Sequence, residues 1–337
     1  MTALGPVTTV DYHTAGEPFR IVTGGAAPLE GNSVAARRVW AAAHLDDVRQ
    51  LLVNEPRGHA GMYGGFVTEP DDAGADVGVV FFHKDGYSTA CGHGTIALGR
   101  WAIDSGLVVA PHDGEATVVI DVPSGRVEAR VRMQAGSATG IAFANVPSYA
   151  VATGLRVVTS LGPIDVDLAY GGAFYASVRA AELALEIAPE SAARLVAIGR
   201  EIKWALNDHP AVSHPDDERL SGVYGTILYD ELDRHDGSLH HRNVTIFADG
   251  ALDRSPCGSG SSARMALLAE SGELAPGDTF VHDSIVGTRF VCRLGAGTTG
   301  NAGVTWATEV EGTAYRTGEH SFAIEDGDDV GTGFQLG

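Results

Sequence analysis

Lysine is almost missing from this chain: of 337 residues, only Lys84 and Lys203 are lysines. Chemistry that needs a Schiff-base lysine, such as that of pyridoxal phosphate, has few places to sit. Cysteine is also scarce, at Cys91, Cys257 and Cys292. An odd, small number in a chain this long does not make a disulfide framework and suits a reducing compartment, so a cytoplasmic location is expected. Positive charge is short: 23 basic against 43 acidic residues give a formal charge of -20. That balance argues against a nucleic-acid partner and against an anionic membrane surface, both of which need basic patches. No apolar run approaches the roughly 20 residues of a membrane span. The opening stretch MTALGPVTTVDYHTAGE has neither a basic nor an apolar segment of the signal-peptide kind. With 44% hydrophobic and 20% charged residues, the chain reads as globular.

Short β-like runs dominate what is present: 79–82, 116–122, 127–133, 164–170, 223–229, 244–247 and 321–324. The second and third flank Pro123-Ser124-Gly125-Arg126 and read as a hairpin. Four segments read as helices. Residues 33–44 follow Asn32, a candidate N-cap, and residues 191–206 have a helical apolar period. The other two, 94–105 and 260–271, are apolar almost all round, which predicts burial inside a domain.

These last two helices echo one another. CGHGTIALGRWAIDSG starts at Cys91 and CGSGSSARMALLAESG at Cys257, an offset of 166 residues, about half the chain. Cys91/Cys257, Gly92/Gly258, Gly94/Gly260, Ala97/Ala263, Ser105/Ser271 and Gly106/Gly272 coincide without gaps. The echo predicts a duplicated α/β fold, each half a β-sheet wrapped round a central helix.

A cysteine at a helix start faces unpaired backbone N–H groups and the positive end of the helix dipole, which favour thiolate. Glycines beside it let a ligand approach the backbone, and the same N–H groups can hold a carboxylate. Two such motifs, facing each other across a domain interface, would offer a base on one face of a carbon and an acid on the other, the requirement for inverting a stereocentre. Other readings fit less well. Cys91-x-His93 could supply two zinc ligands, but no second pair completes a tetrahedral set. His235, His240 and His241 lie in a polar stretch that reads as a solvated surface cluster. A Cys-His protease would leave Cys257 unexplained. Neither helix start is a P-loop or a dinucleotide fingerprint. Cys292, within VCRL, reads as inert core.

Asp253-Arg254-Ser255-Pro256-Cys257-Gly258-Ser259-Gly260 resembles the DRSPCGTG signature of the proline racemase family, and Cys91-Gly92-His93-Gly94 resembles its MCGH motif with Ala90 in place of Met. Further matches are His13–Pro18, Glu55–His59, His214-Pro215 and Thr317–Phe322, so the resemblance covers the chain. It implies a diaminopimelate-epimerase-like fold: two similar α/β domains, each a mixed sheet around a central helix, with the active site between them. The first domain would be 1–147 with 322–337, carrying Cys91, and the second 148–321, carrying Cys257. It implies proline or hydroxyproline as substrate and no cofactor or metal; a homodimer is left open. By position it implies that Cys91 and Cys257 are the acid/base pair. Gly92, His93, Gly258 and Ser259 would bind the substrate carboxylate or ring, and Asp253 its amine. Tyr63 and Phe247 fall where the family has aromatic pocket residues; ordinary core aromatics is the competing reading.

The family's branches pull in two directions. Racemases and 2-epimerases keep both cysteines, whereas trans-3-hydroxy-L-proline dehydratases often replace one with Ser or Thr. Both are present here, which favours inversion at Cα. Yet Met62-Tyr63-Gly64, the stretches from Ala97, Leu168 and Val223, and Ser259 resemble the dehydratase branch. Dehydration needs one base at Cα and an acid for the departing 3-hydroxyl, and stays open as the alternative.

Overall fold

The computed structural model describes residues 5–300 and 303–336. The chain forms two compact units, Met1–Ile141 with Thr313–Gly337, and Ala142–Gly312. This differs from the division expected at 147/148 and 321/322. The strand Ala314–Phe322 pairs along its length with Val7–Thr14, which draws all of it into the first unit.

Each unit is built on a mixed sheet. In the first, neighbouring strands run Ala314–Phe322, Val7–Thr14, Glu17–Gly24, Tyr63–Thr68, Val77–His83, Gly114–Val122 and Gly125–Gln134. In the second they run Tyr149–Thr159, Gly162–Tyr170, Phe174–Arg179, Val223–Glu231, Leu239–Phe247, Thr279–Ser284, Arg289–Gly300 and Gly303–Gly312. In both, the third and fourth strands are parallel, the fifth and sixth are parallel, and the other neighbours are antiparallel. A parallel pair needs a crossover, and helices supply it at the same places in each unit. Val34–His44 and Asp46–Val53 fill the earlier crossover of the first unit, and Ala192–Leu206 that of the second. The later crossovers are Gly92–Asp104 and Gly258–Glu270, each preceded by a two-residue strand, 86–87 and 251–252. The sequence echo is thus a repeat of whole topology.

The echoing helices are the central ones. Gly92–Asp104 packs on the strands 7–14, 17–24, 114–122, 125–134 and 314–322. Gly258–Glu270 packs on 149–159, 162–170, 174–179, 289–300 and 303–312. Ile96 and Leu98 in the first, and Met265 and Leu268 in the second, are at most 1% exposed. Each such side chain contributes about 2 kcal/mol by leaving water. A second core in the first unit lies under the other two helices, where Val34, Leu51 and Leu52 meet Phe66, Val80 and Phe82.

Local details depart from expectation in three places. The helix at 34 is capped by Ser33, whose side chain accepts from the Ala36 N–H, rather than by Asn32. Strand structure ends at Phe322, short of Ile324. The hairpin turns over Pro123-Ser124 alone, because Val122 and Gly125 already pair.

Candidate active site

Cys91 caps its helix from extended backbone, φ -154° and ψ 98°, and its Sγ accepts the Gly94 N–H at 3.2 Å. Glycine is required at 94: a Cβ there would lie 2.7 Å from that sulfur and 2.5 Å from the Phe19 ring. The Thr95 N–H and hydroxyl both donate to the Cys91 carbonyl at 2.9 Å, closing the first turn. His93 brings its ring Nδ1 to 3.5 Å from the Cys91 sulfur. Tyr63 and Phe19 hold that ring edge-on, at centroid distances of 4.9 and 5.8 Å, and Thr14 donates to the His93 carbonyl at 2.9 Å. The Tyr63 hydroxyl pairs with Ser88. Gly92, the first helical residue, presents bare backbone beside the thiol.

Cys257 is held differently. Its backbone is left-handed, φ 63° and ψ 105°, a conformation that costs a residue with a Cβ about 1–3 kcal/mol. Its sulfur lies 3.9 Å from the Tyr175 hydroxyl, which meets the Ser259 hydroxyl at 2.7 Å. Gly260 repeats the role of Gly94: a Cβ there would stand 2.8 Å from the Cys257 sulfur. Gly258 opens this helix as Gly92 opens the other.

The electrostatics of the second site centre on Asp253, which is 2% exposed. Its Oδ1 accepts the Ser255 N–H at 2.8 Å and the Ser255 hydroxyl at 2.7 Å, while the Cys257 N–H donates to Ser255 Oγ at 3.1 Å. Burial pushes the Asp253 carboxyl up to about 6, against the lowering pull of the Ser255 hydrogen bonds. Burial first, and the Asp253 charge second, push the Cys257 thiol well above its ordinary value, only partly offset by the Gly260 N–H, Thr245 and Tyr175. The phenol of Tyr175 is likewise pushed well up, by burial and then by Cys257 and Tyr224. Around neutral pH both groups therefore hold their protons.

The residues singled out from sequence thus gather around the two thiols, each within its own unit. Gly92, His93 and Tyr63 surround Cys91; Asp253, Gly258 and Ser259 surround Cys257. Phe247 stacks on Tyr224 at 5.7 Å, and Tyr224 meets Tyr175 edge-on at 5.7 Å. Tyr175 itself was missed. Its signal was the stretch LAYGGAFYASV; its strand pairs with Val223–Glu231 and packs on the helix Gly258–Glu270, which brings it to Cys257. Ser255 was inside the motif but had no assigned task.

The histidine reading needs correction. His240 and His241 belong to the strand Leu239–Phe247, not to a solvated loop. His240 Nε2 pairs with Asp283 at 2.8 Å, and His241 is 2% exposed, its imidazole pushed down to about 3 by burial first. Cys292 is fully buried on the strand Arg289–Gly300, and burial pushes its thiol up to about 12. Among the described residues, no three His, Cys, Asp or Glu side chains come together as a metal site. No helix among them is long and apolar enough to cross a membrane.

A doubled α/β fold with a buried thiol at the head of each central helix places the chain among proteins of the proline racemase fold. Within it, the chain belongs to the proline racemase family, which it matches over residues 9–335. It is 40% identical over 330 residues to a trans-3-hydroxy-L-proline dehydratase of Bacillus thuringiensis subsp. konkukian, covering 98% of each chain. It is 42% identical over 329 residues to a 3-hydroxyproline 2-epimerase of Burkholderia multivorans, covering 97% of each. In structure it is similar to a hydroxyproline epimerase of Agrobacterium vitis with bound trans-4-hydroxy-L-proline. The TM-score is 0.90 at 31% identity, covering 98% of this chain and 96% of that one.

Proposed function

We propose that this protein is a hydroxyproline 2-epimerase using two thiols and no cofactor, and that 3-hydroxyproline is its substrate. The observation that carries the reading is the thiol at the head of the buried helix in both repeats. One thiolate removes the Cα proton; the other thiol returns a proton to the opposite face. Backbone N–H groups at Gly92, His93, Gly258 and Ser259 hold the carboxylate and the negative charge that develops on it. Asp253 pairs with the ring ammonium. Its charge helps to keep Cys257 protonated, so a bound ammonium relieves that effect and eases the thiol toward thiolate.

The choice of 3-hydroxyproline rests on the relatives named above, one a 3-hydroxyproline 2-epimerase and one a dehydratase of the same amino acid. Both outcomes pass through the same carbanion. If a thiol returns a proton to Cα first, the product is the C2 epimer. If the 3-hydroxyl takes the proton and leaves as water, the product is an enamine that becomes a cyclic imine. A protonated Cys257 could supply the proton in either outcome; a thiol at both helix starts, one for each face of Cα, supports the first. The dehydratase relatives favour the second, which stands as the alternative reading with Cys257 as donor to the leaving hydroxyl.

The test is incubation with trans-3-hydroxy-L-proline, trans-4-hydroxy-L-proline and L-proline in deuterated water, followed by chiral chromatography and an imine assay. The proposal expects C2-inverted 3-hydroxyproline carrying deuterium at Cα. Imine without any inverted amino acid would overturn it in favour of dehydration, and inversion of 4-hydroxyproline or proline alone would overturn the substrate assignment.

A further inference from the structure

The left-handed backbone of Cys257 is held from behind by residues outside the signature motif. The Pro256 carbonyl, whose peptide plane sets the Cys257 φ, accepts two side-chain hydrogen bonds. Asn243 Nδ2 donates at 3.0 Å from the strand Leu239–Phe247. Ser261 Oγ donates at 3.2 Å from the second turn of the helix. The Ser261 hydroxyl also meets His282 Nδ1 at 2.8 Å, from the strand Thr279–Ser284. With the hydroxyl hydrogen on the Pro256 carbonyl, the matching partner for Ser261 Oγ is an Nδ1–H on the fully buried His282 ring. On its other side the Cys257 carbonyl accepts the Ser261 N–H at 2.8 Å. Asn243, Ser261 and His282 are all at 0% exposure, so no water competes for these bonds. Cys91, in ordinary extended backbone, needs no such clamp.

We propose that Asn243, Ser261 and His282 are positioning residues that clamp the Pro256 carbonyl and so aim the Cys257 sulfur. They touch no substrate. Without the clamp Cys257 relaxes toward negative φ and its sulfur turns away from the Gly260 N–H and the Tyr175 hydroxyl. This rests on the reading of Cys257 as a proton-transfer group, but one arm of its test does not.

The experiment compares Ser261→Ala, Ser261→Thr and Asn243→Asp with wild type, each first checked for an unchanged melting profile. The expected effect of Ser261→Ala or Asn243→Asp on kcat is a loss of about 100-fold, the usual cost of a small misplacement. KM should stay within about threefold, because no substrate contact is removed. Ser261→Thr keeps the hydroxyl and should recover most of the loss. Iodoacetamide labelling followed by peptide mass spectrometry reads the two thiols separately without substrate. The labelling rate of Cys257 should change severalfold while that of Cys91 stays the same. Unchanged kcat and unchanged Cys257 labelling would overturn the clamp, as would equal changes at both cysteines. A changed Cys257 rate in a protein inactive on every proline tested would uphold the clamp and reject the catalytic reading.

Discussion

Cys91 and Cys257 occupy the same place in two copies of one topology, yet their surroundings share little beyond the glycines. The first sulfur lies in relaxed backbone beside an imidazole; the second lies in strained backbone beside two hydroxyls and a carboxylate. Strand register shows how the difference arose. Tyr63 and Gly225 are the residues paired with His83 and Phe247, the ends of equivalent strands. Tyr175 lies opposite Gly225, and Phe19 precedes Arg20, which lies opposite Gly64, so Phe19 and Tyr175 are counterparts. His93 and Ser259 are counterparts through the helix alignment. A Phe–His contact in one repeat is therefore a Tyr–Ser hydrogen bond in the other. Duplication kept the thiol, the bare helix start and the crossover, and divergence gave each thiol a different partner set.

The comparison breaks most sharply at the thiols. Cys91→Ser and Cys257→Ser should each lower the rate of inversion at Cα at least about 1000-fold, because a serine hydroxyl is a poor base and inversion needs both faces. Near-wild-type inversion in either variant, followed by chiral chromatography, would end the two-thiol mechanism. If one variant loses inversion but still forms imine, the two repeats have unequal duties and the surviving thiol is the base.

Asp253 has no carboxylate counterpart in the first repeat, where the helix alignment places Tyr87. Asp253→Asn should lower kcat/KM about 100-fold if, as proposed, its charge pairs with the ring ammonium. It should also make the protein more stable at neutral pH. The carboxyl is raised from 3.8 to about 6, so the folded form binds its proton more tightly than the unfolded one. The stability this contributes is full below about pH 4, falls as pH rises through 6, and is constant above. The variant lacks this loss and should exceed wild type by about 2 kcal/mol at pH 7, with little difference at pH 4. Denaturant unfolding at the two pH values checks it, and a larger advantage at pH 4 would reverse the sign of the argument. Tyr175→Phe restores the ring of the first repeat. Loss of one hydroxyl beside Cys257 should reduce kcat about tenfold. The phenol itself keeps its proton at neutral pH, so no titration of activity near neutrality should be lost with it.

How far the sequence could be read follows from what each feature depends on. The central helices were legible because a fully buried helix is apolar all round, and the thiols because the two starts repeat. The strands 7–14 and 17–24 were not, since buried polar residues such as Thr9, Asp11, Thr14, Glu17 and Arg20 interrupt their apolar pattern, nor was 303–312, where polar residues line a partly exposed strand. The cap at Ser33 and the end of strand at Phe322 turn on single hydrogen bonds that neighbouring residues could equally make. Tyr175, Asn243 and His282 reach Cys257 or its backbone through parallel strand pairings, and nothing local in the sequence marks those. His241 was misplaced for the opposite reason: its polar neighbours imitate a loop, while the strand turns its ring inward against Tyr229 and Phe280.

The smallest effect should come from the thiol that has no counterpart. The offset that joins Cys91 to Cys257 places Arg126 opposite Cys292, so the third cysteine lies outside the repeated chemistry. It sits mid-strand, paired with Phe280 on one side and Val310 on the other, and is fully buried. Burial raises its pKa to about 12 as it raises that of Cys257, but Cys292 lies mid-strand with no helix start beside it and packs as a small hydrophobe. Cys292→Ala should cost about 1 kcal/mol of stability for the lost sulfur packing and change kcat/KM by less than about twofold. In native wild-type protein, iodoacetamide should leave Cys292 unlabelled until denaturant is added. Ready labelling of Cys292 in the folded protein would show that it is not inert core, and a loss of activity in Cys292→Ala comparable to that in the other two cysteine variants would show that catalysis is not confined to the repeated pair.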